Sequence, residues 1–168
     1  MPSLKKPLTI CFCFLLLPLF SQDKPSYNIS YQFGLQRLDF FHQVGVGKQW
    51  PHLGLELQQS LGQRNLFAGM VFSQTGIQGS WRLSWNKTEM SPYLRYSYGR
   101  LGKPFGFNYH RTELGIKGVY KLSSFTKFPL DITLSGGAGQ GWEVQSHNKG
   151  HNFLDYSINL GLRYALYW

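Results

Sequence analysis

Apolar residues recur at every second position through most of the chain beyond residue 26. This is the pattern of a strand with two unlike faces. The C-terminal stretch shows it most clearly. Leu154, Tyr156, Ile158, Leu160, Leu162, Tyr164, Leu166 and Trp168 share one face. Asp155, Ser157, Asn159, Gly161, Arg163, Ala165 and Tyr167 share the other. The same alternation predicts strands over 27–36, 39–47, 52–61, 76–85, 92–99, 111–122 and 130–144. The stretch 39–47 is the weakest, with only Val44 and Val46 set against Gln43, Gly45 and Gly47. The segment 65–74 (NLFAGMVFSQ) fits either an extension of a neighbouring strand or a strand of its own. No apolar run after residue 22 approaches the length of a transmembrane helix.

Alternation does not say which face meets water, because a soluble β-sandwich alternates too, with apolar residues inward. The residue types on the polar face decide. It is rich in glycine and serine: Gly34, Gly45, Gly54, Ser80, Ser97, Gly115, Ser135, Gly137, Ser157 and Gly161 among others. Glycine weakens a strand, and a solvated face has no need of it. A tight concave interior does need it, and an eight-stranded barrel is just wide enough for side chains to fill. The other face carries Trp81, Trp85, Tyr96, Tyr98, Trp142, Tyr156 and Tyr164 beside many leucines. That bulk suits a convex surface against lipid, with aromatic rings at the two interfaces. The expected fold is therefore all-β: a closed antiparallel up-and-down transmembrane β-barrel of eight strands, with ten as the alternative because such barrels have even strand counts. A soluble sandwich is the rival.

Charge refines this picture. Glu56, Arg82, Arg95, Glu113, Lys117, Asp131, Asp155 and Arg163, with Glu143, fall on the small-residue face. In a water-poor lumen, unpaired charges are costly. The expectation is a lumen charge network that plugs the barrel; the alternative is that several of these groups sit at strand ends in water. Charged residues make up only 15% of the 168 residues, against 17% aromatic. The net charge is +9, or +7 without Lys5 and Lys6. The basic residues are scattered and no nucleic-acid module is present, so nucleic acid is not an expected partner.

Residues 1–22 read as a signal peptide, and residues 23–168 as the barrel domain. Lys5 and Lys6 form a positive start, and 8–20 (LTICFCFLLLPLF) is an apolar core too short to span a bilayer. Ile10 and Phe12 precede the two cysteines, so neither fits a lipoprotein's modified cysteine. Both cysteines would leave with the signal, and no disulfide is expected.

At this point the sequence resembles a known family, the small outer-membrane barrels of bacteria. Leu160, Leu162, Tyr164, Leu166 and Trp168 resemble the C-terminal signal that such barrels present to the insertion machinery: a terminal aromatic residue, with apolar residues at every second position before it. The resemblance implies a bacterial outer-membrane location, with both termini periplasmic. It implies periplasmic turns at 48–51, 86–91 and 123–129, and outward connections at 37–39, 62–75, 100–110 and 145–152. It further implies contact with outer-membrane lipid and lipopolysaccharide, and a monomer. It transfers no activity.

Candidate chemistry is thin. Arg64, Arg100, Lys103, His110, His147, Lys149 and His151 fall in the outward connections, where they could meet lipid phosphates or form a solvated basic rim. His147 and His151 have a helical metal-ligand spacing, but the residues between them, Asn148-Lys149-Gly150, read as a turn, so no metal is expected. Glu143, Ser146 and His147 invite comparison with a catalytic triad. Adjacent Ser146 and His147 would point to opposite faces of a strand, and the His–Ser pattern of deacylase barrels is absent. The expectation is a non-enzymatic barrel without cofactors, plugged, with a structural or surface-interaction role. A narrow solute channel and a lipid A-modifying enzyme are the alternatives.

Overall fold

In the computed structural model, the described residues are 26–36, 39–62, 72–101, 108–122, 129–144 and 152–166. Nine strands account for most of them: β1 Ser26–Gln36, β2 Asp39–Gln49, β3 Leu53–Gly62, β4 Phe72–Trp81, β5 Leu83–Trp85, β6 Thr88–Leu101, β7 Asn108–Lys121, β8 Leu130–Glu143 and β9 Asn152–Leu166. All pairings are antiparallel between neighbours in the chain, β1 pairs with β9, and the ring is closed. β4 and β5 together form one stave. Ser80 faces Tyr93 and Leu83 faces Met90, so the register on β6 is continuous across the break. The break stands opposite Pro92, which has no N–H to give the ladder. On the other side the β3 ladder runs on, the Arg82 N–H donating to the His52 carbonyl at 2.8 Å. The fold is thus a closed up-and-down barrel of eight staves, as the alternation predicts.

The ambiguous segment is partly decided. Phe72, Ser73 and Gln74 extend β4; the part before Phe72 lies outside the described residues. Strands also run past the alternating stretches, as in β6, which begins at Thr88 rather than 92. There the inside–outside alternation itself runs back through Met90 and Glu89 into the hairpin. The β5–β6 hairpin turns on Asn86 and Lys87, with Asn86 at φ 44°. Asparagine tolerates that left-handed conformation better than most residues.

The register fixes how the wall is sheared. The path of paired residues Ser26, Gln49, Gly54, Ser80, Tyr93, Gly115, Gly137 and Ser157 returns to β1 at Gln36, ten residues from its start. Such stagger tilts the strands, and with only eight staves the bore stays narrow enough for side chains to fill. Tyr27 near the start of β1 pairs with Leu166 at the end of β9, so the strand ends nearest both termini share one end of the barrel.

The two faces separate cleanly. Ser30, Gln32, Gln43, Ser60, Ser97, Thr133, Ser157 and Asn159 are buried in the bore, while Leu57, Leu94, Ile116, Leu134, Ile158 and Leu160 are exposed outside. Tyr27, Trp81, Trp85, Tyr120 and Tyr164 ring the terminus-bearing end; Tyr96, Tyr98, Trp142 and Tyr156 ring the other. Between the rings lies a mainly aliphatic band, interrupted by Tyr31 and Phe33 of β1. This is the inverse of a sandwich core, and the closed ring excludes the sandwich.

The seven rings placed outward from the sequence (Trp81, Trp85, Tyr96, Tyr98, Trp142, Tyr156, Tyr164) are exposed, but four other aromatic residues face the bore. Phe41, Phe72, Tyr93 and Tyr109 are buried inside. Each ring needs room, and for three of the four a glycine on a neighbouring strand supplies it. A Cβ at Gly62 would strike the Phe72 ring, one at Gly99 the Tyr109 ring, and one at Gly115 the Tyr93 ring. Gly137 likewise meets the Tyr93 hydroxyl and the Glu113 side chain. Gly137→Val is therefore expected to overpack the bore and cost about 1–3 kcal/mol. Urea unfolding of the refolded variant in lipid vesicles checks this; an unchanged midpoint would show that the bore has slack.

Candidate functional site

The bore is the most densely charged part of the described molecule. Five basic groups (Arg82, Arg95, Arg111, Lys117, Arg163) and five acidic ones (Glu56, Glu89, Glu113, Asp131, Asp155) form its ion pairs. They lie in three tiers, and each tier is neutral.

At the terminus-bearing end, Arg163 joins two carboxylates, Asp131 at 2.9 Å and Glu89 at 3.3 Å. Arg82 closes the mouth there, pairing with Glu89 at 2.7 Å and donating to the Trp50 carbonyl at 2.5 Å. In the middle tier Lys117 donates to Glu56 at 3.0 Å, and Ser30 donates to the same carboxylate at 2.5 Å. The third tier holds Arg95, Arg111, Glu113 and Asp155. The Arg111 guanidinium lies between Glu113 and Asp155, with Nε 2.7 Å from Asp155. It meets both by charge, its N–H groups not aimed for good hydrogen bonds. Glu113 also pairs with Arg95 at 3.1 Å and accepts from the Tyr93 and Ser157 hydroxyls at 2.5 and 2.9 Å. Asp155 accepts from Gln36 at 2.8 Å.

Neutral side chains extend the third tier. Arg95 and Ser60 both donate to Gln43, each at 3.1 Å, and Gln43 donates to Gln32 at 3.3 Å. Beyond the third tier the bore becomes aromatic. Phe41 and Phe72 have ring centroids 6.0 Å apart, and Tyr109 and Phe153 meet edge to face at 5.9 Å. The Tyr109 hydroxyl crosses from β7 to donate to Gln74 of β4 at 3.0 Å. At the terminus-bearing end, the void between Asn28, Glu56, Glu89, Lys117 and Arg163 measures about 10 Å³, roughly the space of one water.

All eight charged residues singled out from the sequence (Glu56, Arg82, Arg95, Glu113, Lys117, Asp131, Asp155, Arg163) are brought together in the bore. Glu143 is half-exposed at the rim of β8. Two members of the network escaped sequence reasoning. Glu89 lies in what reads as a turn before Pro92, although the alternation runs back through Met90 to place it inward. Arg111 opens the alternating stretch 111–122, two places before Glu113, a spacing that puts both on one face of β7.

On the outer wall, Leu160, Leu162 and Tyr164 are exposed and Leu166 half-exposed, while Trp168 lies outside the described residues. His110 and Arg100 belong to strands rather than connections. His110 Nδ1 is 2.5 Å from the Tyr96 hydroxyl, in an aromatic group with Tyr98 and Trp142. Arg64, Lys103, Ser146, His147, Lys149 and His151 lie outside the described residues. Among the described residues no group of three or more His, Cys, Asp or Glu is placed to hold a metal ion.

No family model matches the sequence, and no curated protein does. Solved structures do. The fold is that of small outer-membrane barrels. A major outer membrane protein of Thermus thermophilus is similar at a TM-score of 0.56 and 13% identity, over 86% of this chain and 100% of that one. Neisserial surface protein A is similar at a TM-score of 0.48 and 11% identity, over 83% and 94% of the two chains. The KdgM porin, solved with disordered oligogalacturonate, is similar at a TM-score of 0.36 and 12% identity, over 83% and 99%.

Proposed function

We propose that this chain is a non-enzymatic outer-membrane barrel with a bore closed by its own side chains, serving the envelope through its wall and its surface connections. The observation that carries this reading is the bore itself. Three charge-neutral tiers fill it, and aromatic side chains occupy the end away from the termini. A permeant ion would have to displace paired charges held in a water-poor space, which is strongly unfavourable. The apolar outer wall between two aromatic rings supports a bilayer location. A closed barrel leaves no unpaired strand edge in hydrocarbon. Both termini would be periplasmic, with Leu160, Leu162, Tyr164, Leu166 and Trp168 read by the insertion machinery, and lipopolysaccharide against the outer half of the wall.

The test is single-channel recording with the refolded protein in planar bilayers. No steady conductance is expected at moderate voltage. Discrete, reproducible conductance steps would overturn the plugged reading in favour of a narrow channel. A heat-dependent change in gel mobility, expected of a folded barrel, confirms that the recorded protein is folded.

A further inference from the structure

The outer wall is not evenly convex. Two grooves lie side by side toward the terminus-bearing end, and Leu55 of β3 lines both. The first, of about 510 Å³, runs over β3, β4 and β6 between Trp50, Trp81, Pro92 and Leu94. Gly79 lies within it, and a Cβ added there would meet nothing within 4 Å. The second, of about 590 Å³, runs over β1, β2 and β3 between Ile29, Val46, Leu57 and Leu166.

Lys48 stands where the two grooves meet. It faces Tyr27 across one strand boundary and Leu55 across the other. Its ammonium lies 5.3 Å from the ring centroid of Trp50, which lines the first groove, and 5.6 Å from that of Tyr27, which lines the second. Among the described residues no carboxylate forms an ion pair with it. A lysine on a lipid-facing wall keeps its stem along apolar surface and its charge at the headgroup level. Gly79 adds a second sign. The bore glycines make room for neighbouring side chains, but Gly79 points outward into open space, where a strand gains nothing from glycine. What its missing side chain leaves is depth in the groove.

We propose that this face binds one diacyl phospholipid, its phosphate against the Lys48 ammonium and one acyl chain in each groove, straddling Leu55. Charge complementarity and the paired apolar grooves favour a two-chained anionic lipid over a second copy of the protein, which would have to bury Lys48 unpaired. The inference rests on the reading of the wall as lipid-facing.

Native mass spectrometry of the full mature protein in detergent, titrated with dioleoylphosphatidylglycerol, tests it. One lipid is expected to be retained with saturation. Lys48→Gln and, separately, Gly79→Leu should each weaken retention by about fivefold. The single-chain lysophosphatidylglycerol should bind more weakly than the two-chained lipid. Equal retention by wild type and both variants, or lipid adducts that rise without saturating, would overturn the site, as would a dimer that forms in place of the lipid complex. Heat-dependent gel mobility separates the two readings. If the folded form persists and lipid fails to saturate, only this site falls; if the wild type shows no folded form, the lipid-facing wall falls as well.

Discussion

Replacing Arg111 by methionine is expected to lower the unfolding free energy of the barrel by about 3–5 kcal/mol. Arg111 is wholly buried and stands between Glu113 and Asp155. Methionine fills much of the space but leaves the third tier with one more negative charge than positive. Arg95 still faces Glu113 at 3.1 Å, so the uncompensated group is chiefly Asp155. Burying a lone carboxylate costs far more than losing the attraction of one pair. Urea titration of the refolded protein in lipid vesicles, followed by tryptophan fluorescence, reads the loss. The double variant Arg111→Met with Asp155→Asn is expected to recover most of it, because the tier is neutral again. Exposed Arg100 on β6 supplies the contrast, and Arg100→Met should change stability by no more than about 0.5 kcal/mol. If Arg111→Met cost as little as Arg100→Met, the charges in the bore would not be holding it together.

The second large effect is on the outer wall. Leu134→Arg is expected to destabilise the barrel by about 2–4 kcal/mol in a bilayer. Leu134 is 58% exposed in the middle of β8, beside Gly118 of β7 and Leu160 of β9. In a water-soluble protein such an exposed leucine would accept arginine at a cost within about 0.5 kcal/mol. The two environments differ by several-fold in predicted cost, so one variant decides between them. The folded fraction in vesicles, measured by heat-shifted gel mobility at increasing urea, is the readout. A neutral outcome would mean that the exposed leucines do not face hydrocarbon.

These two residues also show what could be read without coordinates. Leu134 sits in a clean alternation with Thr133 and Ser135, and its face follows from residue type alone. Glycine and serine opposite leucine and tryptophan signal a crowded inside and an apolar outside, and the observed burial divides along that line. Arg111 was harder to read. It lies at the start of its alternating stretch, next to a connection, where a strand end in water and a bore position look alike. Glu89 was hidden by Pro92, which reads as the end of a strand and instead only interrupts one ladder. The inward rings of Phe72, Tyr93 and Tyr109 were not legible in the sequence, because each packs over a glycine supplied by another strand.

Alternation is a property of neighbouring residues, so the sequence by itself determined the alternating strands, their two faces and the presence of charges of both signs inside, while eight staves rather than ten was decided by how the ring closes. Which charges meet is a property of closure. Glu56 and Lys117 are 61 residues apart, and Gln36 and Asp155 are 119 apart. Only the ten-residue stagger around the ring brings them to one height. The grooves beside Leu55 likewise exist only once three strands lie side by side. Register is set by how the whole ring closes, and no single stretch of chain carries that information.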